Sequence, residues 1–275
     1  MLSSTRGRPI ADRLPLLLLG GFVLLALIGS WITPFDPLAT DAARALSPPS
    51  ARNWFGTDHV GRDVFSRTIA AARIDLGIAA AAVALAAIPG TFLGALAGFH
   101  GGWADALLGR VSEVMLAVPL FLLAMAVAAV MGPSMSSLIL ATALVSLPFY
   151  MRLSRTEAAR RRSAPYVEAA RIGGSGEGRI LRLLLLPEIL PVVAVQSSVN
   201  LGWAMMNAAG LSFLGLGIRP PTPEWGLMVA EGTRFVASGA WWVAAFPGLA
   251  LMLAILACNL SGDLLRSWLA ARGRT

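Results

Sequence analysis

Apolar residues in this chain come in long uncharged runs, and the polar residues gather between them. Crossing roughly 30 Å of hydrocarbon takes about 20 predominantly apolar helical residues. By that measure residues 14–32, 76–99, 111–131, 135–151, 189–211 and 242–265 are predicted membrane-spanning helices. Six spans is the preferred reading; five is the alternative, because only Gly132-Pro133-Ser134 divides the third from the fourth. The first run follows Arg6, Arg8 and Arg13, as the apolar core of a signal peptide would. Its length, and the poor cleavage site at Gly29-Ser30-Trp31-Ile32, favour an uncleaved helix. The pattern therefore predicts an all-α polytopic membrane protein.

Within the second span Gly90, Gly94 and Gly98 recur every fourth residue on one helix face, which lets another helix approach closely. Pro89, Pro119, Pro148 and Pro247 are each expected to free a carbonyl and bend a span. Arginines are concentrated before the first run (Arg6, Arg8, Arg13), after the fourth (Arg152, Arg155, Arg160, Arg161, Arg162, Arg171, Arg179, Arg182) and in the tail (Arg266, Arg272, Arg274). By the positive-inside rule these segments, and both termini, are cytoplasmic. On the outer side Arg44, Arg52, Arg62, Arg67 and Arg73 are balanced by Asp36, Asp41, Asp58, Asp63 and Asp75.

Composition narrows the function. The 275 residues are 56% hydrophobic and 13% charged, with net charge +7, and their mean hydropathy is +0.71. All 22 basic residues are arginine. Without lysine there is no standard phosphate-binding P-loop and no Schiff-base chemistry. Cys258 is the only cysteine, and His59 and His100 lie in different loops, so no intrachain disulfide or cysteine metal cluster is available. The basic excess follows topology and is not a nucleic-acid footprint. Ionisable residues are scarce in the spans, and Glu113, Glu188 and Asp263 stand near span ends. That argues against a proton- or sodium-coupled carrier.

The longest inner segment, residues 166–191, reads YVEAARIGGSGEGRILRLLLLPEILP. Pro165 suits a first helical turn, and Gly173-Gly174 is expected to end the helix begun there. A second short helix is expected from about Gly178 to Leu186, with Pro187 separating it from the fifth span. Arg179 and Arg182 suit contact with anionic lipid headgroups. Glu168-Ala169-Ala170, Gly174 six residues after the glutamate, and Leu186-Pro187 together resemble the EAA loop of binding-protein-dependent ABC importer permeases. In that family this cytoplasmic segment docks on a separate ATPase. Glu188, where asparagine is common, and Ile172-Gly173, where Ala-Leu is usual, depart from the pattern without altering its spacing.

Two further stretches are similar to the second permease subunit of dipeptide/oligopeptide importers. Residues 54–67 carry Gly56, Asp58, Gly61, Arg62 and Asp63 in the FGTDxxGRDxxSR pattern, which suggests a tight, charge-paired outer loop. Asp58 and His59 are weak support for a metal or hydrolase site. Residues 211–228 contain LSFLGLG and PPTPEWG, with Gly215, Gly217, Pro221 and Trp225. Their glycines and prolines predict an ordered turn, and Trp225, Trp241 and Trp242 suit a membrane–water boundary. A re-entrant loop without substrate contact is the alternative.

The resemblance implies a type I importer permease fold. It divides the chain into 1–66, with the first helix, and 67–275, the permease domain with its EAA loop at 165–187. It also implies a second homologous permease, two ATPases that carry the ATP and magnesium, and a periplasmic or lipid-anchored solute-binding protein, all at a bacterial inner membrane. This chain is expected to bind no cofactor or metal and to be no enzyme. Peptides are the first expectation for cargo; relatives move nickel, glutathione, opines and some oligosaccharides. A secondary carrier and a non-transporting scaffold are the rival classes.

Overall fold

The computed structural model of the protein describes residues 14–272. Arg6, Arg8, Arg13 and Arg274, invoked above for orientation, lie outside them. The elements are α1 (Leu14–Ile32), α2 (Val64–His100), α3 (Gly102–Ala117), α4 (Leu120–Met131), α5 (Met135–Arg161), α6 (Pro165–Ile172), α7 (Glu177–Ile180), α8 (Leu186–Phe213), α9 (Trp225–Thr233) and α10 (Trp242–Arg272). Among the described residues four helical stretches are long and apolar enough to cross a membrane, the bent α3–α4 pair makes a fifth when counted as one span, and α1 is a shorter apolar helix. The all-α, multi-span architecture expected from the hydrophobic pattern is present.

The third span is not one rod, as residues 111–131 had suggested. Its two halves meet at 89°. Val118 precedes a proline and is extended (ψ 121°), and Pro119 stands before the first turn of α4 with ψ 137°. A proline disfavours the helical conformation in the residue before it, which explains a break here. Pro89, Pro148 and Pro247, by contrast, lie inside unbroken helices.

α2 is the axis of the bundle, packed against α1, α5 and α8. Its 37 residues span about 55 Å, so it projects beyond a bilayer. It starts earlier than the uncharged run indicated, and Arg67, Arg73 and Asp75 stand on its early turns instead of in a loop. Ala71, Ala72, Ala79, Ala82 and Ala86 are fully buried along it. The glycine stripe permits the closest approach. A Cβ on Gly90 would lie 2.7 Å from the Tyr150 Cβ, one on Gly94 2.2 Å from the Met151 carbonyl oxygen, and one on Gly98 2.1 Å from that of Arg155. Backbone thus packs on backbone where α2 meets α5. Large apolar residues face outward instead, among them Leu17, Ile88, Val114 and Val130.

Pro187 does not separate the inner helices from the fifth span. α7, a π-helical turn at Leu181–Leu185 and α8 are continuous, with Pro187 in the first turn of α8. The Leu186 N–H bonds back five residues to Leu181, and this wider register carries the helix past a residue with no N–H of its own.

Candidate functional site

The inner segment folds into a knob beyond the end of α2. Pro165 occupies the first turn of α6, where its missing N–H costs nothing. Val167 is fully buried and anchors the knob in the cluster that holds Phe99, Ile180 and Leu181. α6 ends at Gly173, whose N–H bonds the Ala169 carbonyl at 2.9 Å. Gly174 follows at φ +81°, and Ser175 closes the turn on the Ala170 carbonyl at 3.0 Å. An L side chain rarely adopts that φ, which accounts for the second glycine.

Arg171 organises the knob. Its guanidinium donates to Glu168 at 2.8 Å, to both Glu177 oxygens at 2.8 and 3.1 Å, and to the Arg162 carbonyl at 3.2 Å. It also lies 5.5 Å from the centre of the Phe99 ring at the end of α2. Glu188 ties the other flank, accepting from the Tyr166 hydroxyl at 3.0 Å and from Arg161 at 3.1 Å. Glu168, Ala169 and Gly174 are exposed, Ala170 is half-buried, and Leu186 and Pro187 sit on α8 away from the knob's tip. Ile172 is 88% exposed, the most exposed large apolar side chain of the described residues. The sequence pattern gives Arg171 only a part in orientation and Ile172 only a departure from the motif, and neither a place in the site. The signals available were Arg171 at i+3 from Glu168 and an isoleucine set between an arginine and two glycines.

The outer loop, residues 33–63, lies at the opposite end of α2. Asp58 accepts from the Arg62 side chain at 2.6 Å and from the Val60 and Arg62 N–H groups at 3.0 and 2.9 Å. Arg67 lies 3.7 Å from the same carboxylate, and Arg62 reaches Glu231 of α9 at 3.7 Å. Asp63 caps α2 through Ser66, N–H and hydroxyl both at 2.7 Å, and accepts from Asn53 at 2.8 Å. Gly61 (φ +80°) lets the Asp41 carbonyl come within 1.9 Å of where a Cβ would stand. Gly56 (φ +72°) makes room for the Trp242 indole, which donates to the Thr57 carbonyl at 3.2 Å. His59 stacks on Phe235 with ring centres 5.5 Å apart. Among the described residues no cluster of three His, Cys, Asp or Glu is placed to hold a metal ion.

Arg67 joins this loop to the one after α8, donating to the Pro37 carbonyl at 3.2 Å and to that of Pro221 at 3.1 Å. Gly215 (φ +77°) turns the chain off α8, and Gly217 packs on Ser212. Trp225 and Trp242 do not face a membrane boundary; they are 1% and 8% exposed, and of the three tryptophans named above only Trp241 is exposed. The Trp225 indole donates to the Thr68 carbonyl at 2.9 Å and its backbone N–H to Asp75 at 3.2 Å. An indole whose one polar atom finds a buried acceptor is at home in a core.

Asp75 is an acid of α2 whose burial the charge pattern did not show. It meets Glu224, which caps α9 by accepting from the Gly226 and Leu227 N–H groups at 2.9 and 2.7 Å. Both are buried. Burial raises the Glu224 carboxyl above its usual 4.5. The folded chain therefore holds the Glu224 proton more tightly than the unfolded chain. The resulting stability is full below the unfolded pKa and is lost as pH rises through the folded one. Thermal unfolding of the chain in detergent, followed from about pH 4 to about pH 8, is expected to show that alkaline loss, and Glu224→Gln to flatten it. An unchanged slope in the variant would remove Glu224 as its source.

A bundle of apolar helices, with an ordered polar loop at one end of its axis and an exposed knob at the other, defines a multi-pass membrane protein of the permease class. Residues 90–275 match the family described as binding-protein-dependent transport system inner membrane component, and the chain belongs to that family. It is 42% identical over 247 residues to the probable D,D-dipeptide transport system permease protein DdpC of Escherichia coli (strain K12), covering 90% of this chain and 83% of that one. Identity is also 42%, over 250 residues, to the di/tripeptide transport system permease protein DppC of Pseudomonas aeruginosa (strain UCBPP-PA14), with coverage of 89% and 82%. The nickel transport system permease protein NikC of Escherichia coli (strain K12) is 36% identical over 257 residues, with coverage of 94% and 92%. The chain is thus a transmembrane permease component of a binding-protein-dependent transport system.

Proposed function

We propose that the chain forms part of the pathway of an ATP-driven importer for dipeptides and oligopeptides, with its knob and both termini in the cytoplasm. The ATPase sites belong to two separate subunits, a homologous permease completes the pathway, and an external solute-binding protein delivers cargo to the side of the outer loop. One observation carries the reading. The knob is pre-ordered by buried Val167 and by Arg171, yet it leaves Ile172, Ala169 and Glu168 outward, and among the described residues no other element covers them. An exposed isoleucine beside an acid on a stiff projection suits a docking surface for another subunit, because a few well-packed anchor residues carry most interface energy. The knob also rests on Phe99 at the end of α2, so a push on it acts on the axial helix of the bundle. Nucleotide binding to the partner subunits then favours one pathway conformation by its difference in affinity for the two. Peptide cargo follows from the two most similar relatives named above, with nickel or another small solute as the alternative.

The test is reconstitution with the ATPases and solute-binding protein. Ile172→Asp removes no buried contact and is expected to leave the chain folded in the membrane. It should lower ATPase association about 30-fold, the equivalent of an interface anchor worth ~2 kcal/mol, with loss of ATP-dependent peptide uptake. Gly174→Trp, which places an L side chain at φ +81°, is expected to act in the same direction. Unchanged association and uptake in both variants would refute the docking role. Uphill uptake by the chain alone would refute the whole reading.

A further inference from the structure

A groove of about 550 Å³ runs between α1 and α2 on the outside of the bundle. Its walls are apolar, made by Val23, Ala26 and Leu27 of α1 and by Leu76 of α2, with Gly77 in its floor. A Cβ on Gly77 would meet nothing within 4 Å, so no protein atom fills that space. At one end stand Trp31, 83% exposed, and Arg73. Trp31 falls in the last turn of α1, and Arg73 precedes the uncharged run of α2 by three residues. Both therefore mark the same boundary of the apolar layer, and the walls extend from there into it.

Arg73 differs from three of the other four arginines on the outer side. Arg44, Arg62 and Arg67 are each paired with an aspartate. Arg73 is exposed and has no hydrogen-bond or ion-pair partner among the described residues. A guanidinium at the edge of hydrocarbon is costly unless it reaches water or an anion, and its stem favours apolar surface. Tryptophan suits the same headgroup level. A ligand with an anionic head and a hydrocarbon tail satisfies the cation and the apolar walls together. A second protein helix would cover the walls but bring no anion to that level unless it carried an acid there. The volume is within the range of about 300–1,000 Å³ that holds a small ligand.

We propose that the α1–α2 groove binds one phospholipid of the surrounding bilayer, its phosphate on the Arg73 guanidinium and an acyl chain lying along Val23, Ala26, Leu27 and Leu76 over Gly77. The site needs only that the chain is embedded, and it is independent of what the knob docks on or what the transporter carries. Held there, the lipid staples α1 to the bundle's axial helix.

The full chain is placed in nanodiscs of phosphatidylethanolamine and phosphatidylglycerol that include a phosphatidylglycerol with a photoreactive acyl chain, and the labelled peptides are mapped. Adducts are expected on residues 23–27 and 76–77. Arg73→Gln should reduce them about fivefold, the contribution of one interfacial cation, and Arg73→Lys should restore most of the labelling. Gly77→Phe, at an open position that the fold tolerates, should reduce them by filling the floor. Labelling of the exposed Met252 and Leu253 on α10 should be the same in every variant. Equal groove labelling in Arg73→Gln would overturn the proposal. So would equal labelling by a photoreactive diacylglycerol that lacks the phosphate. Displacement of the lipid by a co-expressed permease subunit that crosslinks to α1 and α2 would also overturn it, by making the groove a protein interface.

Discussion

Asp58→Ala is expected to destabilise the chain by about 3–5 kcal/mol, because it leaves buried positive charge without its counterion. Asp58 is 4% exposed, Arg62 4% and Arg67 1%, and the one carboxylate serves both guanidiniums. Glu231 at 3.7 Å from Arg62 cannot replace the N–H bonds that Asp58 also accepts from Val60 and Arg62. Arg67 in turn fastens the loops at Pro37 and Pro221, so its displacement should loosen both. Asp41→Ala is the internal control. Its pair with Arg44 is about a third exposed, and exposed pairs contribute about 0–1 kcal/mol. Thermal unfolding in detergent, with protease cleavage mapped within residues 33–63, distinguishes them. If Asp58→Ala unfolds no earlier than Asp41→Ala, the buried cluster does not hold the outer loop.

Gly94→Leu is the second large effect. Even its Cβ would lie 2.2 Å from the Met151 carbonyl oxygen and 3.0 Å from the Arg155 nitrogen. These are backbone atoms, with no flexible side chain to swing aside. Helices α2 and α5 must separate, at an expected cost of at least about 3 kcal/mol, the upper part of the range for overpacking. Folded yield from membranes should fall sharply and transport with it. Gly77→Ala on the same helix faces open space and should be neutral or stabilising by up to about 1 kcal/mol, since alanine is the better helix former. Comparable losses in the two variants would show that α2 suffers from any added side chain and that the crossing is not the cause.

The elements that were legible in the sequence are those set by solvent and by local backbone chemistry. Uncharged runs marked the spans because lipid rejects charge. The glycine stripe marked a helix crossing because only a missing side chain allows backbone contact. Pro165 and Gly173-Gly174 bounded α6 because a proline and a left-handed turn leave few alternatives. The 89° break at Pro119 was half-legible: of the four prolines expected to bend a span, only this one breaks its helix. The others lie in helices whose neighbours hold the rod together. Pro187 was misjudged because a π-turn let the helix pass a residue that sequence rules treat as a stop.

Misassigned residues share one cause. By their own character Arg67 and Asp75 suit the outer side and Trp225 suits an interface. Each is buried because a partner distant in sequence satisfies it: Arg67 through Pro221, and Trp225 through Asp75 and Thr68. Trp242 is buried in the same way against Thr57. Glu188, a departure from the common motif, accepts from both Tyr166 and Arg161, a use that the motif alone did not suggest.

By itself the sequence determined the class of molecule, the axis helices and the position of the knob, since each depends on chemistry within some twenty consecutive residues. Only the tertiary structure decided which charges are buried, which tryptophans are core, and which face of α6 stays outward. Those outcomes depend on residues about 150 positions apart, Asp75 and Trp225 among them, meeting where water is excluded. There an unpaired polar group is costly and a paired one is stable, and no local pattern records whether the partner will arrive.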